Sequence, residues 1–374
     1  MIKVLNVISD SNIGGAGRVL LNYLECCDRS RFDVSVALPR GSLLKEPLEK
    51  LGAKVYEVDG LAERSYHRDD VKALTALIRL VQPDIVHTHG ALSGRIAGRR
   101  CGKKVIYTRH SAFPVPAKLK YPPGRWVNKW VNEHYADHII AVSPATAENL
   151  TDAGISERYI TVMMNGVTPV TRVEGDRLAE LRSAWGIRDG EFVMGILARI
   201  EPYKGHAYIL EAVKKLAEQG RSVRVLIAGT GSYEQELKEY AAKLEVTGHV
   251  SFLGFQSDVA AVLSVLDVQL NASYGTEACS MAILEGFSMG LPAVVSNYGG
   301  NPWLVDDGED GLLFESRDSA ALAACIARLM DEPETLAAMR RAALETFEKR
   351  FTADIFARNV EAVYEKVMEG NARG

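Results

Sequence analysis

The sequence predicts an α/β protein made of two doubly wound parallel-sheet units in tandem, and three observations support this. Short β-rich runs alternate with longer helical patterns along the chain, which is typical of βαβ units. The alternation weakens once, between about residues 168 and 189, and then restarts. The length of 374 residues exceeds the roughly 250–300 at which a single core usually stops growing.

The first half of the chain contains the strands and helices of one predicted unit. Residues 18–27 favour a helix because their apolar side chains recur on one face. We expect strands at residues 3–8, 33–37, 54–58, 84–87, 104–108, 138–142 and 159–163.

The second half repeats the pattern after a linker that contains one short helix. Strands are expected at residues 191–197, 223–228, 250–253, 265–270 and 292–296. Helices are expected at residues 207–219, 233–244, 258–263 and 281–288, and three more begin near Asp318, Glu334 and Thr352.

Composition excludes several classes of protein. A net charge of −4 gives no reason to expect a nucleic-acid partner. The five cysteines form no CxxC pair, which favours reduced thiols and a cytoplasmic chain. The apolar run at Met1–Ile8 is too short for a signal peptide, and no stretch approaches the roughly 18 residues that span a bilayer. Any membrane contact is therefore expected to be peripheral.

Two glutamates flank the predicted start of a helix after residues 265–270. Glu277 falls on the preceding loop, and Ser280 is the expected N-cap. Glu285 lies about a turn into the helix and leans back toward free amides that favour an anion such as pyrophosphate. This arrangement suits a nucleotide sugar, with one carboxylate for the sugar and one for the ribose. Spacing alone favours two ordinary glutamates, because such pairs are common.

Two cations follow the strand predicted at residues 191–197. Arg199 and Lys204 lie in the loop that ends at Gly205, and their side chains can bind phosphate as a fork and a point charge. Each cation alone could be a solvated surface residue. Doubly wound sheets, however, bind ligands beyond the carboxyl ends of their strands, so a site in the cleft between two such units is expected.

Glycine-rich turns follow two other strands. Gly14 and Gly15 permit close approach to a phosphate. The run does not satisfy GxGxxG, because Leu20 takes the last glycine's position, and this disfavours a dehydrogenase. Gly229 and Gly231 are interpreted first as a tight turn and second as a ligand loop.

Three histidines lie near the ends of neighbouring strands. His87 and His89 end one strand and His110 ends the next. No carboxylate or cysteine stands beside them at ligand spacing, so a metal site is not expected. His110 is the better candidate for contact with a substrate.

Taken together, these loops resemble the retaining glycosyltransferases of family 4, which adopt the GT-B fold, and the resemblance covers nearly the whole chain. Its anchors, in order, are Gly14-Gly15-Ala16, the strand end from Asp84 to Gly90, Thr108-Arg109-His110, Val142-Ser143, Asn165-Gly166-Val167, Arg199 with Lys204-Gly205, Phe252-Leu253-Gly254, Glu277 with Glu285, Gly290-Leu291-Pro292, Gly299-Gly300-Asn301-Pro302, and Gly311 to Phe314.

The resemblance implies two Rossmann-like domains that face a central cleft. An acceptor-binding domain would span residues 1–168, with a linker at 169–189 and a nucleotide-sugar-binding domain at 190–351. In this fold the last helix, about 352–374, would cross back and complete the first domain.

The resemblance also implies roles for individual residues. Arg199 and Lys204 would neutralise the donor diphosphate and assist its departure, and Glu285 would hold the ribose hydroxyls. Glu277 would hold the donor sugar, with His110 near its reacting carbon. Retention would proceed by front-face attack without a glutamate nucleophile, and neither a divalent metal nor a cofactor is implied. The catalytic set is His110, Arg199, Lys204 and Glu277, and donor binding adds Gly14, Gly15, Gly254, Phe255, Cys279, Ser280, Met281, Ala282 and Glu285.

Two departures from the family pattern stand out. The family often has Glu-Gly-Phe-Gly where this chain has Glu277-Ala278-Cys279-Ser280. The added side chains narrow a loop that usually wraps the sugar, which leaves the identity of the sugar open. Trp303 stands where an acidic residue is common.

A basic, acid-free segment runs from Ile85 to Asn132 and has aromatic residues near its end. Basic residues interleaved with interfacial aromatics are typical of a peripheral membrane or anionic-acceptor surface. The alternative is a basic surface whose tryptophans pack inward, and both interpretations remain open here. The predicted surface comprises Lys118, Lys120, Arg125, Trp126, Lys129 and Trp130.

The expected function is transfer of a sugar, with UDP as the usual nucleotide, to a glycan or lipid-linked acceptor in cell-envelope polysaccharide, exopolysaccharide or lipopolysaccharide synthesis. The expected location is the cytoplasm and the inner face of the cell membrane. Alternatives are a nucleotide-sugar 2-epimerase of the same fold and a non-catalytic sugar-nucleotide-binding protein.

Overall fold

The computed structural model describes residues 1–61 and 64–370, which divide into two compact units. The first unit comprises Met1–Val167 and the chain from Phe351 onward, and the second comprises Thr168–Arg350. The linker predicted at residues 169–189 lies within the second unit. The last four residues of the helix predicted at 352–374 lie outside the described part of the chain.

The first unit is built on a parallel sheet with the strand order β3-β2-β1-β4-β5-β6-β7. The strands are β1 (Ile2–Ile8), β2 (Phe32–Pro39), β3 (Lys54–Val58), β4 (Ile85–His89), β5 (Lys104–Arg109), β6 (His138–Ala141) and β7 (Ile160–Val162). The helices between them are α1 (Gly15–Cys26), α2 (Lys45–Lys50), α3 (Arg68–Val81), α4 (Leu92–Arg100), α5 (Ala117–Lys120), α6 (Gly124–Tyr135) and α7 (Pro144–Asp152). Helices cover both faces of the sheet, which is why Val4, Leu5, Val7 and Ile8 are all buried, with the polar Asn6 buried between them.

The second unit is a parallel sheet with the order β10-β9-β8-β11-β12-β13. Its strands are β8 (Phe192–Leu197), β9 (Val223–Ala228), β10 (Val250–Gly254), β11 (Val268–Asn271), β12 (Ala293–Ser296) and β13 (Gly311–Phe314). Its helices are α8 (Gly175–Ala184), α9 (His206–Glu218), α10 (Glu234–Lys243), α11 (Val259–Ser264), α12 (Met281–Phe287), α13 (Asn301–Leu304), α14 (Ser319–Asp331) and α15 (Pro333–Arg350).

The last helix, α16 (Ala353–Met368), packs in the first unit. Thr352 caps it by accepting a hydrogen bond from the amide of Ile355 at 3.2 Å. The ring of Tyr364 meets the ring of Tyr23 on α1 edge to face, with centroids 6.1 Å apart. Tyr364 is fully buried, so the core of the first unit includes a residue from the far end of the chain.

The two doubly wound parallel sheets confirm the predicted fold class, with three local differences. The strand expected at residues 265–270 is β11 and begins only at Val268, because Val265 and Leu266 form the turn that follows α11. Strand β13 was not predicted as a strand. Ser280 occupies the N-cap position of α12, but its side chain makes no capping hydrogen bond.

The strand order reverses between β1 and β4 in the first sheet and between β8 and β11 in the second. Doubly wound sheets bind ligands at the carboxyl ends of the strands beside such a reversal. The loops after β8 and β11 therefore mark the expected ligand position in the second unit, and those after β1 and β4 mark it in the first. No helix in the described ranges is long and apolar enough to cross a membrane.

Candidate active site

The loop after β8 carries two cations with different surroundings. Arg199 is exposed, and its Nη2 donates a hydrogen bond to the hydroxyl of Tyr203 at 3.1 Å. Lys204 ends a short 3-10 turn, Pro202–Lys204, and its side chain is only 16% exposed. Gly205 is the N-cap of α9 and adopts a left-handed conformation, φ 75°. It packs against the loop after β11, where a Cβ would collide with the carbonyl of Ala272.

Lys204 is paired with the first of the two predicted glutamates. Its Nζ lies 2.9 Å from Oε2 of Glu277, which is buried on the loop after β11. The same oxygen accepts hydrogen bonds from Asn271 Nδ2 at 3.0 Å and Ser273 Oγ at 3.1 Å. Glu277 is therefore a fixed group in the switch-point loops and not a solvated loop residue.

The ionisation of Glu277 follows from these contacts. Burial alone would raise the pKa of its carboxyl, since a charge is costly in an apolar environment. The charge of Lys204 and the hydrogen bonds from Asn271, Lys204 and Ser273 outweigh burial and hold the pKa below its usual range. The carboxylate is thus charged at neutral pH and can accept hydrogen bonds from hydroxyl groups.

Backbone contacts join the loops around this pair. Tyr274 N donates to Tyr203 O at 2.9 Å, and a Cβ at Gly275 would collide with the Tyr203 side chain. From the loop after β12, Gly300 N donates to Glu277 O at 2.9 Å, and a Cβ there would collide with the carbonyl of Ala278. Close packing therefore requires these glycines and fixes the loop that carries Glu277.

Glycines at the ends of β9 and β10 lie at the same carboxyl edge of the second sheet. A Cβ at Gly229 or Gly231 would collide with backbone carbonyls of the loop that carries Arg199. Gly229 N also donates to Gly254 O at 2.7 Å, at the end of β10. Phe255, the next residue, is 75% exposed. A large aromatic ring that is open to solvent, at the edge where a ligand is expected, is available for stacking on a planar ligand.

The second glutamate lies on the short helix α12. Glu285 is buried, and Gly286 packs its backbone against the side chain of Gln269 on β11. Cys279 is buried, while Ser280, Met281 and Ala282 are half-buried. The predicted donor-binding residues of the second unit, from Arg199 to Glu285, thus all lie at the end of β10 or on segments that follow β8, β10 and β11.

In the first unit, the predicted glycines begin helix α1. Gly14 is its N-cap and Gly15 its first residue, and a Cβ added at Gly15 would meet no atom within 4 Å. The space above Gly15 leaves room for a ligand to approach.

Three histidines form a stack at the carboxyl edge of β4 and β5. The centroids of His87 and His89 are 4.6 Å apart, and those of His89 and His110 are 5.2 Å apart. Burial lowers the pKa of all three, to about 4 for His89, and neighbouring histidines lower those of His87 and His110 further. Within residues 1–61 and 64–370, no three His, Cys, Asp or Glu side chains are grouped to hold a metal.

The predicted basic and aromatic surface lies on α5 and α6. Trp126 is 66% exposed and Trp130 57% exposed, so the tryptophans do not pack inward. Arg95, from the same acid-free segment, is instead buried and donates to Asn132 Oδ1 at 2.8 Å. Near this surface in the sequence, Phe113, Tyr121 and Val127 are also exposed large apolar residues.

Sequence reasoning missed the residues that hold these groups. Asn271 and Ser273 orient Glu277, and Asn6 accepts a hydrogen bond from His89. Asn271 stands at the end of a buried strand where apolar residues are usual, which is a usable signal. Asn6 lies in an apolar run, and nothing local indicates its long-range partner.

Two family models together match most of the chain. Residues 13–170 match the family described as Glycosyltransferase Family 4, and residues 179–346 match the family described as Glycosyl transferases group 1. The two matches correspond to the two units.

Relatives agree with these matches. EpsD of Bacillus subtilis, which carries a glycosyltransferase name, is 31% identical over 310 residues, covering 76% of this chain and 79% of EpsD. An Escherichia coli UDP-Gal:alpha-D-GlcNAc-diphosphoundecaprenol alpha-1,3-galactosyltransferase is 28% identical over 348 residues, covering 88% of each. The crystal structure of Anabaena HepE in complex with UDP and glucose superposes with a TM-score of 0.85 at 20% identity, covering 98% of this chain and 100% of HepE.

Proposed function

This chain belongs to the glycosyltransferases of family 4, and on that premise we propose that it moves a sugar from a UDP-sugar to a lipid-linked or glycan acceptor, with retention at the anomeric carbon. The observation that carries the proposal is the Lys204–Glu277 pair at the switch point of the second sheet, beside the exposed guanidinium of Arg199. A cation for phosphate and a charged carboxylate for hydroxyls are what a sugar diphosphate requires.

Each donor-binding residue has a role in this proposal. Arg199 and Lys204 stabilise the negative charge that develops on the leaving diphosphate, which takes the place of a metal ion. Glu285 binds the ribose hydroxyls. Phe255 stacks on the nucleobase beside Gly254. Glu277 binds sugar hydroxyls together with the backbone amides of residues 279–281.

Retention without a covalent intermediate is consistent with the environment of Glu277. Its Oε2 already accepts hydrogen bonds from three side chains, one of which is a lysine. Such a carboxylate is a weak nucleophile, because its charge is compensated. We therefore assign it to sugar binding and propose front-face attack by the acceptor, with His110 contacting the sugar and Gly14 and Gly15 approaching the phosphates.

The relatives support the choice of substrates. The name of the Escherichia coli relative specifies UDP-Gal and a diphosphoundecaprenol-linked acceptor, and Anabaena HepE binds UDP and glucose. We propose a lipid-linked acceptor in envelope polysaccharide, exopolysaccharide or lipopolysaccharide synthesis. The loop Ala278-Cys279-Ser280 leaves the choice among UDP-sugars to experiment.

A lipid-linked acceptor requires access to a membrane. We propose that the surface formed by Lys118, Lys120, Arg125, Trp126, Lys129 and Trp130 binds anionic bilayers from the cytoplasmic side. Exposed tryptophans beside lysines favour the interface, where the rings are partly buried and the cations meet anionic headgroups.

The test combines binding and turnover. A panel of UDP-, GDP- and ADP-sugars is screened by thermal shift, since a ligand specific to the folded site raises the melting temperature. Ligands that stabilise the protein are then incubated with diphosphate-linked lipid acceptors, and glycosylated acceptor is measured by mass spectrometry.

We expect one UDP-sugar to stabilise the protein and to yield an α-linked product from an α-linked donor. Conversion of the donor to its C2 epimer without acceptor glycosylation would instead establish an epimerase. Binding without any turnover across the acceptor panel would support a non-catalytic protein. Lys214 is a lysine on α9 whose side chain is 40% exposed, and Lys214→Ala is the matched control for a loss of activity in variants of Lys204.

A further inference from the structure

The histidine stack is tied to a buried asparagine on the neighbouring strand. In the register of the sheet Asn6 of β1 is opposite His87 of β4, and His89 is opposite Thr108 of β5. Side chains two residues apart share a face, so Asn6, His87 and His89 point the same way, and His110 continues that line beyond the end of β5. Asn6 is fully buried, His89 is buried and His110 is half-buried.

The hydrogen bonds run in one direction. Oδ1 of Asn6 lies 3.0 Å from Nε2 of His89 and can only accept, so this nitrogen of His89 carries the proton. A neutral imidazole has one N–H, so Nδ1 of His89 must accept. Its partner is Nε2 of His110 at 2.9 Å, which therefore donates. The lone pair of His110 then resides on Nδ1.

We propose that Asn6 and His89 are positioning residues that hold His110 in its Nε2–H tautomer and so make Nδ1 an acceptor for a hydroxyl group of the substrate. Contact with the substrate rests on the proposed function, whereas the tautomer does not. Neutral rings are required, because a protonated His89 would turn a second N–H toward that of His110. Burial favours the neutral form and lowers the pKa of His89 to about 4.

His87 provides an internal contrast. Its Nδ1 lies 2.8 Å from the hydroxyl of Tyr364, and its Nε2 lies 2.6 Å from the hydroxyl of Thr108. A hydroxyl can donate or accept, so these partners do not select one tautomer. An asparagine oxygen can only accept, so it selects one tautomer of His89. Through its hydrogen bond with His110, His89 in turn fixes the tautomer of His110.

The direct test is the tautomer itself. Protein labelled with ¹⁵N-histidine is studied by long-range ¹H–¹⁵N spectroscopy at pH 7.5, and His110 is assigned by the signal lost in His110→Gln. We expect a protonated Nε2 and an unprotonated Nδ1 at His110. Asn6→Leu removes the acceptor of His89, and His89→Phe removes the acceptor of His110. Each variant puts an apolar side chain in its place and should give a mixture of tautomers at His110.

Activity provides the second readout. His89→Gln can accept from His110 and donate to Asn6, so it should retain kcat/KM within about threefold of the wild type. His89→Phe should lose about tenfold or more, the effect of one hydrogen bond of about 1.4 kcal/mol. His138→Gln changes another buried histidine of the same sheet, which bonds Thr161 at 2.7 Å, and serves as control.

The outcomes separate the two proposals. A wild-type His110 that carries its proton on Nδ1 overturns this inference, as does an unchanged tautomer in both Asn6→Leu and His89→Phe. The expected tautomer in a protein that glycosylates no acceptor leaves the inference standing and overturns the proposed function. If His89→Phe fails to fold, the wild-type spectrum and Asn6→Leu still decide.

Discussion

Lys204 and Glu277 form an ion pair with Nζ and Oε2 2.9 Å apart, although 73 residues separate them in the sequence. The pair joins the two strands at which the order of the second sheet reverses. Under the proposed function, this one cation would serve two anions when a donor is bound, the carboxylate of Glu277 and the diphosphate. This dual role makes the consequences of removing Lys204 different from those of removing Arg199.

Arg199→Ala should strongly reduce activity without a loss of stability. The guanidinium is exposed, so no buried group loses its partner apart from the half-buried hydroxyl of Tyr203. We expect kcat/KM to fall by about 10²–10³-fold, the usual effect of removing one group that stabilises transition-state charge. Steady-state kinetics and a melting curve check this, and activity near that of Lys214→Ala would contradict the phosphate role.

Lys204→Met should lose both activity and stability. The substitution leaves the buried Glu277 carboxylate with hydrogen bonds from Asn271 and Ser273 but without its cation. We expect this to lower the free energy of unfolding by about 1–3 kcal/mol. Adding Glu277→Gln removes the buried charge and should restore part of that loss while activity stays low. Urea unfolding of the single and double variants measures the coupling, and additive effects would refute the pairing.

The pH dependence of stability should report the Glu277 carboxylate. Its pKa in the folded protein is below 4.5, the ordinary glutamate value that approximates the unfolded chain. Its contribution is therefore fully present above pH 4.5 and is lost as the pH falls through the lower folded pKa. Between about pH 5.5 and 3.5, Glu277→Gln should lose less unfolding free energy than the wild type. If the unfolding free energies of the wild type and Glu277→Gln change with pH in parallel, the pKa of the Glu277 carboxyl is not lowered.

His206→Leu should protect the protein against acid. Burial, and then the charge of Lys204, lower the pKa of His206 from its ordinary value of 6.5 to about 4, and within the described chain neither ring nitrogen has a hydrogen-bond partner. The unfolded chain takes up this proton first, so stability falls as the pH drops from 6.5 toward 4. The free energy of unfolding of the variant, relative to that of the wild type, should therefore increase by about 2 kcal/mol between about pH 8 and pH 5. Urea unfolding at each pH measures it.

Gly300→Ala should weaken donor binding through the loop that carries Glu277. The added Cβ would collide with the carbonyl of Ala278, so the loop must move. We expect the KM for the donor to rise at least tenfold, which corresponds to a loss of about 1.4 kcal/mol or more in the free energy of donor binding. Gly248→Ala, where a Cβ would meet no atom within 4 Å, is the matched control. Equal kinetics for the two variants would argue against this packing role.

The double variant Trp126→Ser/Trp130→Ser should reduce binding to vesicles that contain anionic lipid by at least tenfold, since two rings lose their place in the interface. Co-sedimentation at low salt measures it. High salt should also weaken the binding of the wild-type protein to these vesicles, because it screens the charges of the lysines. Trp303→Ser, at another exposed tryptophan, is the control, and no wild-type binding at low salt would refute a membrane role for this surface.

The fold was predictable because long β-branched runs and amphipathic helices repeat with clear boundaries. Strands β3 and β9 match their predicted limits, since turn residues flank both. The start of β11 was misplaced because a buried apolar run does not distinguish a strand from a preceding turn. Strand β13, with only Gly311–Phe314, is too short to show a period.

The site was predictable by position but not by contact. The placement of Arg199, Lys204 and Glu277 on strand-end loops follows from the alternation of elements. Their pairing depends on the strand order, which brings β8 beside β11, and this order is set by packing across the whole sheet. The exposure of Trp126 also depends on tertiary contacts, because helix α6 has aromatic residues on more than one side.

The return of α16 to the first unit has a consequence for synthesis on the ribosome. All of Thr168–Arg350 is translated between β7 and the helix that supplies Tyr364. At a translation rate of about 5–20 residues per second, α16 is synthesised on the order of ten seconds or more after the last strand of the first sheet. During that interval the second unit can fold as a complete domain, while the histidine stack lacks the phenol that closes it. Slow codons late in the message would lengthen this exposed stage without any change to the finished enzyme.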